Sequence, residues 1–595
     1  MISKHLLRVL CGTLILPVAA AAADKDDVPM RAMKDELQRS MTQLRLQQMD
    51  KPYFLAYRMD EINDTEISAT LGSLTNSQPG RMRMIGVEVR VGDYSLDNSN
   101  FFSARSFASG VSGMFSSISQ APLDDNYQQI RRQFWLATDT QYKKALEDLS
   151  AKRAALQLRK RSDEVPDFSK ESPTSVNEAP GSPQVNVRDL ESLARDLSAV
   201  FKADPDIFNS SVDLEYRDFY TRYVNSEGSF FTQYQPILKL KITAETQAPD
   251  GLPISDSIEI YGRAIADLPS KEALLKRAHN LAESILKLRS ASSVESYNGP
   301  VLFEGEAAAE AFSQQFATGL MAVRTPISDD PRFEAYFSQM MSQLGGASFV
   351  DKVGGRVLPE FLSVTDNPLQ DEFKNARLLG SYKIDDDAVA SRETKLVDHG
   401  VLKTLLATRV PVRTIPHSTG SRRGWGPSPS NLFVTADKSL NTEDLHKELL
   451  RRAKERGLDY GIVVRHLGGG GAAGSFMRMT VRMAMQSEGG YSDSLAQVYK
   501  LYPDGHEELV KGLEIAEITP ATFKEIAAAG DTPFVYTEEF VPRLGAFFSL
   551  GTAATSNVPV VSSVVPSLLF EELSLTKTQG PFPNPPISPS PLAKE

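Results

Sequence analysis

The hydrophobic period of this chain changes near Tyr297, and that break restricts the folds open to it. Upstream, helical and strand patterns alternate. Residues 26–49 carry Met30, Met33, Leu37, Met41 and Leu44 at helical spacing, and residues 270–290 carry Leu274, Ala278, Leu281 and Ile285 on one face. Residues 187–201 form another helical pattern. Strands are expected at 53–59, 66–74, 82–91, 210–216, 219–225, 230–246 and 258–264, with Asn225-Ser-Glu-Gly228 as a hairpin turn. Residues 139–160 read as a long charged helix in solvent. Residues 162–184, rich in Ser, Pro and acidic side chains, read as a loop. Downstream of Tyr297, short β runs separated by Gly, Asp and Pro turns continue to about residue 541, with one helix at 443–456, and a β pattern returns at 553–575. The expected class is α+β. An α/β domain over 24–295, with an insertion at about 139–190, precedes a β-rich domain over 296–575 and a Pro-rich disordered tail over 576–595.

The N-terminus has the pattern of a secretory signal. Lys4, His5 and Arg8 precede an apolar run over residues 10–20 that is too short to cross a bilayer, and small residues at 19–23 offer cleavage sites. The mature protein is therefore expected in the periplasm or outside the cell. Cys11, the one cysteine, lies within this signal, so the mature chain has no disulfide, no thiolate nucleophile and no cysteine metal ligand. A chain of 595 residues can be held by its core alone. The net charge of -11 argues against nucleic acid as a partner. No later apolar run approaches the length of a membrane span, so none is expected after signal cleavage.

Residues 301–310, Val-Leu-Phe-Glu-Gly-Glu-Ala-Ala-Ala-Glu, run from an apolar strand through an acidic turn into an alanine-rich helix. Further motifs follow in order. They are Leu362-Ser-Val-Thr-Asp-Asn-Pro368, Gly380-Ser-Tyr-Lys-Ile-Asp-Asp-Asp387, Asp398-His-Gly-Val-Leu-Lys403, His417-Ser-Thr-Gly-Ser-Arg-Arg423, Ser430-Asn-Leu432 and His466-Leu-Gly-Gly-Gly-Gly471. None is specific alone, but together and in this order the second half resembles the TldD/PmbA family of metallopeptidases and their metal-free relatives. The resemblance implies an N-terminal α/β domain and a barrel-like C-terminal domain. It also implies dimers, with the same chain or with a TldD/PmbA sibling, around a cavity that admits unfolded peptides. Active members carry His-Glu-x-x-x-His on a helix and a distant Cys. The two His and the Cys hold zinc, and the Glu acts as general base.

On that frame the first His position falls at Gly305, the base at Glu306, the second His at Glu310 and the Cys at Val464. Zinc catalysis needs three protein ligands and an open position, and Gly and Val supply none. The expectation is a degenerate zinc site with no cofactor, Glu306 being a retained but inactive base. The alternative is a divalent cation in a rebuilt site of Glu304, Glu306, Glu310 and His466, since Glu306 and Glu310 share a helix face and carboxylates suit harder ions. The bland reading is that acidic side chains at a helix start stabilise its dipole. His417, Arg422, Arg423, Arg465, His466, Gly468, Gly469 and Gly470 are candidate peptide-binding residues, because guanidinium groups take carboxylates and glycines let a backbone approach. For the arginines the competing reading is salt bridging to Asp385–Asp387. The chain thus reads as a peptide-binding or non-catalytic subunit of a peptidase complex. The rival readings are an active metallopeptidase using the rebuilt site and a structural envelope protein.

Overall fold

Alternation of apolar and polar side chains over residues 52–91 builds a long antiparallel ribbon, β1 (Pro52–Thr70) with β2 (Ser73–Val91). The computed structural model describes residues 27–103, 118–158, 165–182, 185–336, 339, 349–424, 426–468, 497–515, 518–540 and 558–580, with parts of the tail between 582 and 592. The ribbon turns at Leu71 and Gly72, whose φ angles are 46° and 73°. Two successive positive φ values fit a tight hairpin loop. The strand read at 66–74 therefore crosses a turn. Leu71 hides it, because a leucine at positive φ carries no turn signal.

β3 (Ile118–Gln120), β4 (Ser175–Asn177), β5 (Asn209–Asn225), β6 (Phe230–Gln247) and β7 (Pro253–Gly262) complete a seven-stranded sheet in the order β3-β2-β1-β5-β6-β4, with β7 also on β6. One face takes α1 (Val28–Gln43) and α2 (Tyr127–Leu158), which bury Met30, Met33, Ile130, Phe134 and Leu149 against Leu55, Tyr57, Ile85 and Val87. Further along, α3 (Val187–Ala199) and α4 (Lys271–Ser290) bury Leu190, Leu197, Ala278 and Ile285 against Val212, Leu240 and Ile242.

Two readings of the sequence are corrected here. α2 starts at Tyr127, not near 139, and is docked rather than solvated. Its buried stripe runs through Ile130, Phe134, Thr138, Tyr142, Ala145, Leu149, Lys152 and Ala155. Thr138 lies within 2.7 Å of the Tyr57 hydroxyl, and Lys152 donates to Asp167 at 2.5 Å and to the Ser99 carbonyl at 2.6 Å. Polar side chains at core positions blurred the apolar pattern. The described part of 162–184 is likewise a tied strap. β4 pairs with β6, and Phe168 is buried between the guanidinium groups of Arg90 at 3.7 Å and Arg409 at 3.9 Å from its ring centre.

The second sheet has twelve strands. Those used below are β8 (Ser296–Phe303), β9 (Asn431–Ala436), β10 (Gly461–His466), β11 (Gln497–Leu501), β12 (Ile526–Glu539) and β13 (Val560–Lys577). β13 is the hub: it pairs with β8, β9 and β12, and its apolar residues are almost continuously buried. The helix α5 (Glu306–Ala311) leaves β8 directly, and α6 (Thr442–Glu455) packs Leu445 and Leu449 near Leu302 and Leu569. With helices and sheets segregated in this way, the fold is α+β.

Lys152→Met tests the docking of α2. Lys152 and Asp167 are both fully buried, so losing the cation leaves a buried carboxylate with the Asp97 N–H at 2.9 Å and the more distant Arg324 at 3.4 Å. A loss of about 3 kcal/mol is expected, since breaking a buried pair strands its partner. Urea unfolding measures it, and a loss below about 1 kcal/mol would mean the cation is dispensable.

Candidate functional site

The α5 segment lies over the second sheet because its residues are small. Ala307, Ala308, Ala309 and Ala311 are buried in the main core, letting the helix approach β12 and β13. The helix then widens into a π-helical turn at Phe312–Phe316, a feature often found at functional sites. It begins at Gly305, with φ 51° and ψ -112°. That backbone is one which L side chains rarely adopt, and strain of about 1–3 kcal/mol would attend any other residue there. Space is not the obstacle, since a Cβ on Gly305 would meet only Phe534 at 3.8 Å.

Glu310 points into the protein and is 2% exposed. Its Oε1 accepts from Gln314 Nε2 at 3.2 Å and its Oε2 from the Leu467 N–H at 3.3 Å. Burial pushes its carboxyl up to about 7, against the opposing pull of His466 and with Glu306 adding to the rise. His466, on β10, places Nδ1 2.7 Å from Oδ1 of Asp256 on β7 of the first sheet. Burial draws the His466 imidazole down, but Asp256, Glu310 and Glu306 outweigh it and raise it to about 10. Asp256 is itself fixed, accepting from the Ser257 N–H at 2.8 Å and from Gln497 Nε2 at 3.3 Å. The result is an alternating row, Asp256, His466 and Glu310, that joins the two sheets.

Glu304 is not part of this row. It accepts from Arg465 Nε at 2.8 Å and lies 2.5 Å from His446 Nε2, while Arg465 also makes a two-pronged contact with Glu507 at 2.8 and 2.7 Å. The strand is irregular between Val464 and His466, and here Arg465 turns to Glu304 and Glu507 while His466 turns to Asp256. The four residues of the rebuilt cation site therefore do not converge. Among the described residues, no three His, Cys, Asp or Glu side chains are placed to hold a metal ion.

The zinc donor set does not fit either. Gly305 has no side chain, and Val464 is fully buried in the apolar core, where its carbonyl accepts the Glu304 N–H at 2.9 Å. His466 turns its Nδ1 to Asp256, and a metal bound there would have to displace its proton.

The other candidates scatter. His417 is exposed beside Glu171, 3.7 Å away. Arg422 pairs with Asp387 at 2.5 Å, which is the salt-bridge reading. Arg423 donates to the carbonyls of Pro429 at 3.1 Å and Val560 at 2.9 Å. Gly468 has a positive φ of 75° beside His466 and Leu467, while Gly469 and Gly470 lie outside the described residues. Asp256 and His446 were not singled out from the sequence. Each meets its partner only through tertiary packing, and neither carries a local motif.

The profile of the PmbA/TldA metallopeptidase C-terminal domain matches residues 332–577. No curated protein matches the chain in sequence. Among solved structures, the chain is similar to a proposed modulator of a DNA gyrase from Thermotoga maritima, at 16% identity over 88% of this chain and 96% of that one, with a TM-score of 0.54. It is also similar to TldE from Thermococcus kodakarensis, at 12% identity over 92% and 100%, with a TM-score of 0.54. A proposed DNA gyrase modulator from Bacteroides thetaiotaomicron aligns at 12% identity over 93% and 99%, with a TM-score of 0.55. At these identities the likeness establishes a shared fold.

The buried carboxyl has a measurable signature. Glu310 in the fold holds its proton to about pH 7, against a usual value of 4.5. The native state thus binds the extra proton, and this contribution to stability is full below pH 4.5 and lost as pH rises through about 7. His466, raised from 6.5 to about 10, acts with the same sign at higher pH. Glu310→Gln should therefore gain on the parent between about pH 5 and pH 8, by on the order of 3 kcal/mol. Urea unfolding across that range reads it, and parallel pH profiles for both proteins would contradict the assignment.

Proposed function

The chain belongs to the TldD/PmbA family, and on that premise we propose that it is an exported metallopeptidase homologue whose zinc centre is degenerate. It binds unfolded peptide segments, as a non-catalytic subunit beside a catalytic sibling or as a homodimer. The observation that carries this reading is the fate of the second ligand position. Glu310 is taken up by Gln314 and Leu467, and the nearest histidine is committed to Asp256. Gly305 and Val464 complete a set without zinc donors. Glu306 keeps the base position in the first turn of its helix. A base without a metal-activated water has little to act on, because free water is far too weak an acid. Its remaining role there is to complement the helix dipole.

Active hydrolysis through a rebuilt carboxylate centre is the weaker reading, since Glu304 faces His446 and Arg465 instead. Export rests on the signal pattern of residues 1–23.

Elemental analysis of the purified protein should find metal well below one equivalent, and unfolded peptides should remain uncleaved. Stoichiometric metal together with cleavage that Glu306→Gln abolishes would overturn the proposal. Affinity capture from the native host should recover a relative with an intact His-Glu-x-x-x-His helix if the subunit form is correct. Recovery of the chain paired only with itself would select the homodimer.

A further inference from the structure

A cavity of about 400 Å³ lies between the two sheets, a size within the range of small-molecule sites. Residues 233–237 of β6 form its floor, and Leu369, Tyr382, Arg423 and Val560 form its far side. Glu306, Glu310 and His466 are not among its walls. The backbone of the floor supplies few donors, since the Tyr234 N–H donates to Glu178 Oε2 at 3.4 Å and Pro236 has no N–H. Recognition in this space falls to side chains.

Two guanidinium groups line it. Arg263 follows the end of β7, and Arg423 lies on a two-stranded ribbon of Arg422–Arg423 with Gly426–Pro427. Arg263 donates to Ser381 Oγ at 3.0 Å, and Arg423 donates from Nη1 to the carbonyls of Pro429 at 3.1 Å and Val560 at 2.9 Å. Neither is ion-paired with a carboxylate among the described residues, because the acids around them are committed elsewhere. Asp267 accepts from the backbone N–H groups of Arg263 at 2.8 Å and Ala264 at 3.2 Å and pairs with Arg377 at 3.2 Å. Asp366 takes both the N–H and the hydroxyl of Ser430, each at 2.8 Å. Asp386 takes Arg58 and the Gly424 N–H, each at 2.6 Å. Glu178 pairs with Lys383 at 3.1 Å, and Asp371 is exposed to solvent. Burial holds both guanidinium groups below the usual arginine range. Arg377 adds to this at Arg263, and Arg263 adds to it at Arg423, while the carboxylates nearby pull the other way. Arg58, Arg409 and Arg422, each beside a carboxylate, are raised instead.

The charged lining residues are three cations, Arg263, Arg423 and Lys383, against two carboxylates, Glu178 and Asp371. One negative charge would balance them. Much of the remaining wall is apolar, with Pro236, Ile237, Leu379 and Val560 beside Leu369, which is 60% exposed. We propose that the cavity binds a small organic carboxylate, its charged group held by Arg263 and Arg423 and its apolar body lying against Leu369 and Val560. A guanidinium presents its N–H groups in a fork that matches a carboxylate, which suits it to this task. The site goes beyond the peptide reading and does not depend on it.

The test uses the full mature protein and fluorine NMR titration of para-fluorophenylacetate against its neutral amide. The acid should bind about tenfold or more tightly, the scale of a hydrogen bond to a charged group. Arg263→Gln should erase most of that preference while leaving amide binding unchanged. Arg423→Gln, checked for an unaltered melting temperature, should do the same. Leu369→Ala, at an exposed position, should weaken the acid by about fivefold through lost apolar contact. Equal binding of acid and amide overturns the carboxylate assignment. Tighter binding of para-fluorophenyl phosphate than of the acid overturns it in favour of a phosphate ester. Displacement by equal concentrations of acetate or inorganic phosphate overturns the role of the apolar wall. No saturable binding of any of these probes overturns the site.

Discussion

Charge taken out of water has to be matched, and this requirement shapes how the molecule is joined. An unpaired ion in the interior costs several kcal/mol, so a buried carboxylate or cation persists only beside an opposite charge or several donors. Asp256 on the first sheet meets His466 on the second. Arg409 reaches Glu227 and the Ser169 carbonyl and stacks on Phe168. Arg58 meets Asp386 at 2.6 Å, and Arg217 and Lys239 both meet Glu539. These contacts run between residues far apart in the chain. They fix the two sheets against each other in a way that apolar surface, which is indifferent to register, does not.

Seen this way, the surroundings of Glu310 and His466 are part of a joint between the two sheets. A catalytic acid or base has to be exposed to its substrate and free to change its protonation. Glu310 is instead enclosed and bonded to Gln314 and Leu467, and His466 is paired with Asp256. Their altered proton affinities arise from burial and pairing, which structural ion pairs produce as readily as active sites do.

Much of this was legible in the sequence where pattern is local. The helices at Val28–Gln43, Lys271–Ser290 and Thr442–Glu455 follow from apolar spacing, and their starts carry Asp27, Ser270 and Asn441 as caps. The turn at Asn225–Gly228 follows from its residues. The departures share one cause. Leu71 in a turn, and Thr138 and Lys152 on a buried helix face, hold positions that their residue types do not advertise, because distant partners make them tolerable. At the site, Gly305, Glu306 and Glu310 could be placed by motif. Asp256, about two hundred positions from His466, could not, because nothing in its neighbourhood marks it as buried.

Gly305 has a consequence for what this turn can accept. A backbone at φ 51° and ψ -112° is comfortable for glycine and strained for any residue with a Cβ. A Cβ there would meet only Phe534 at 3.8 Å, so the turn selects by torsion and not by size. It is a filter on sequence that no inspection of the space around it would reveal.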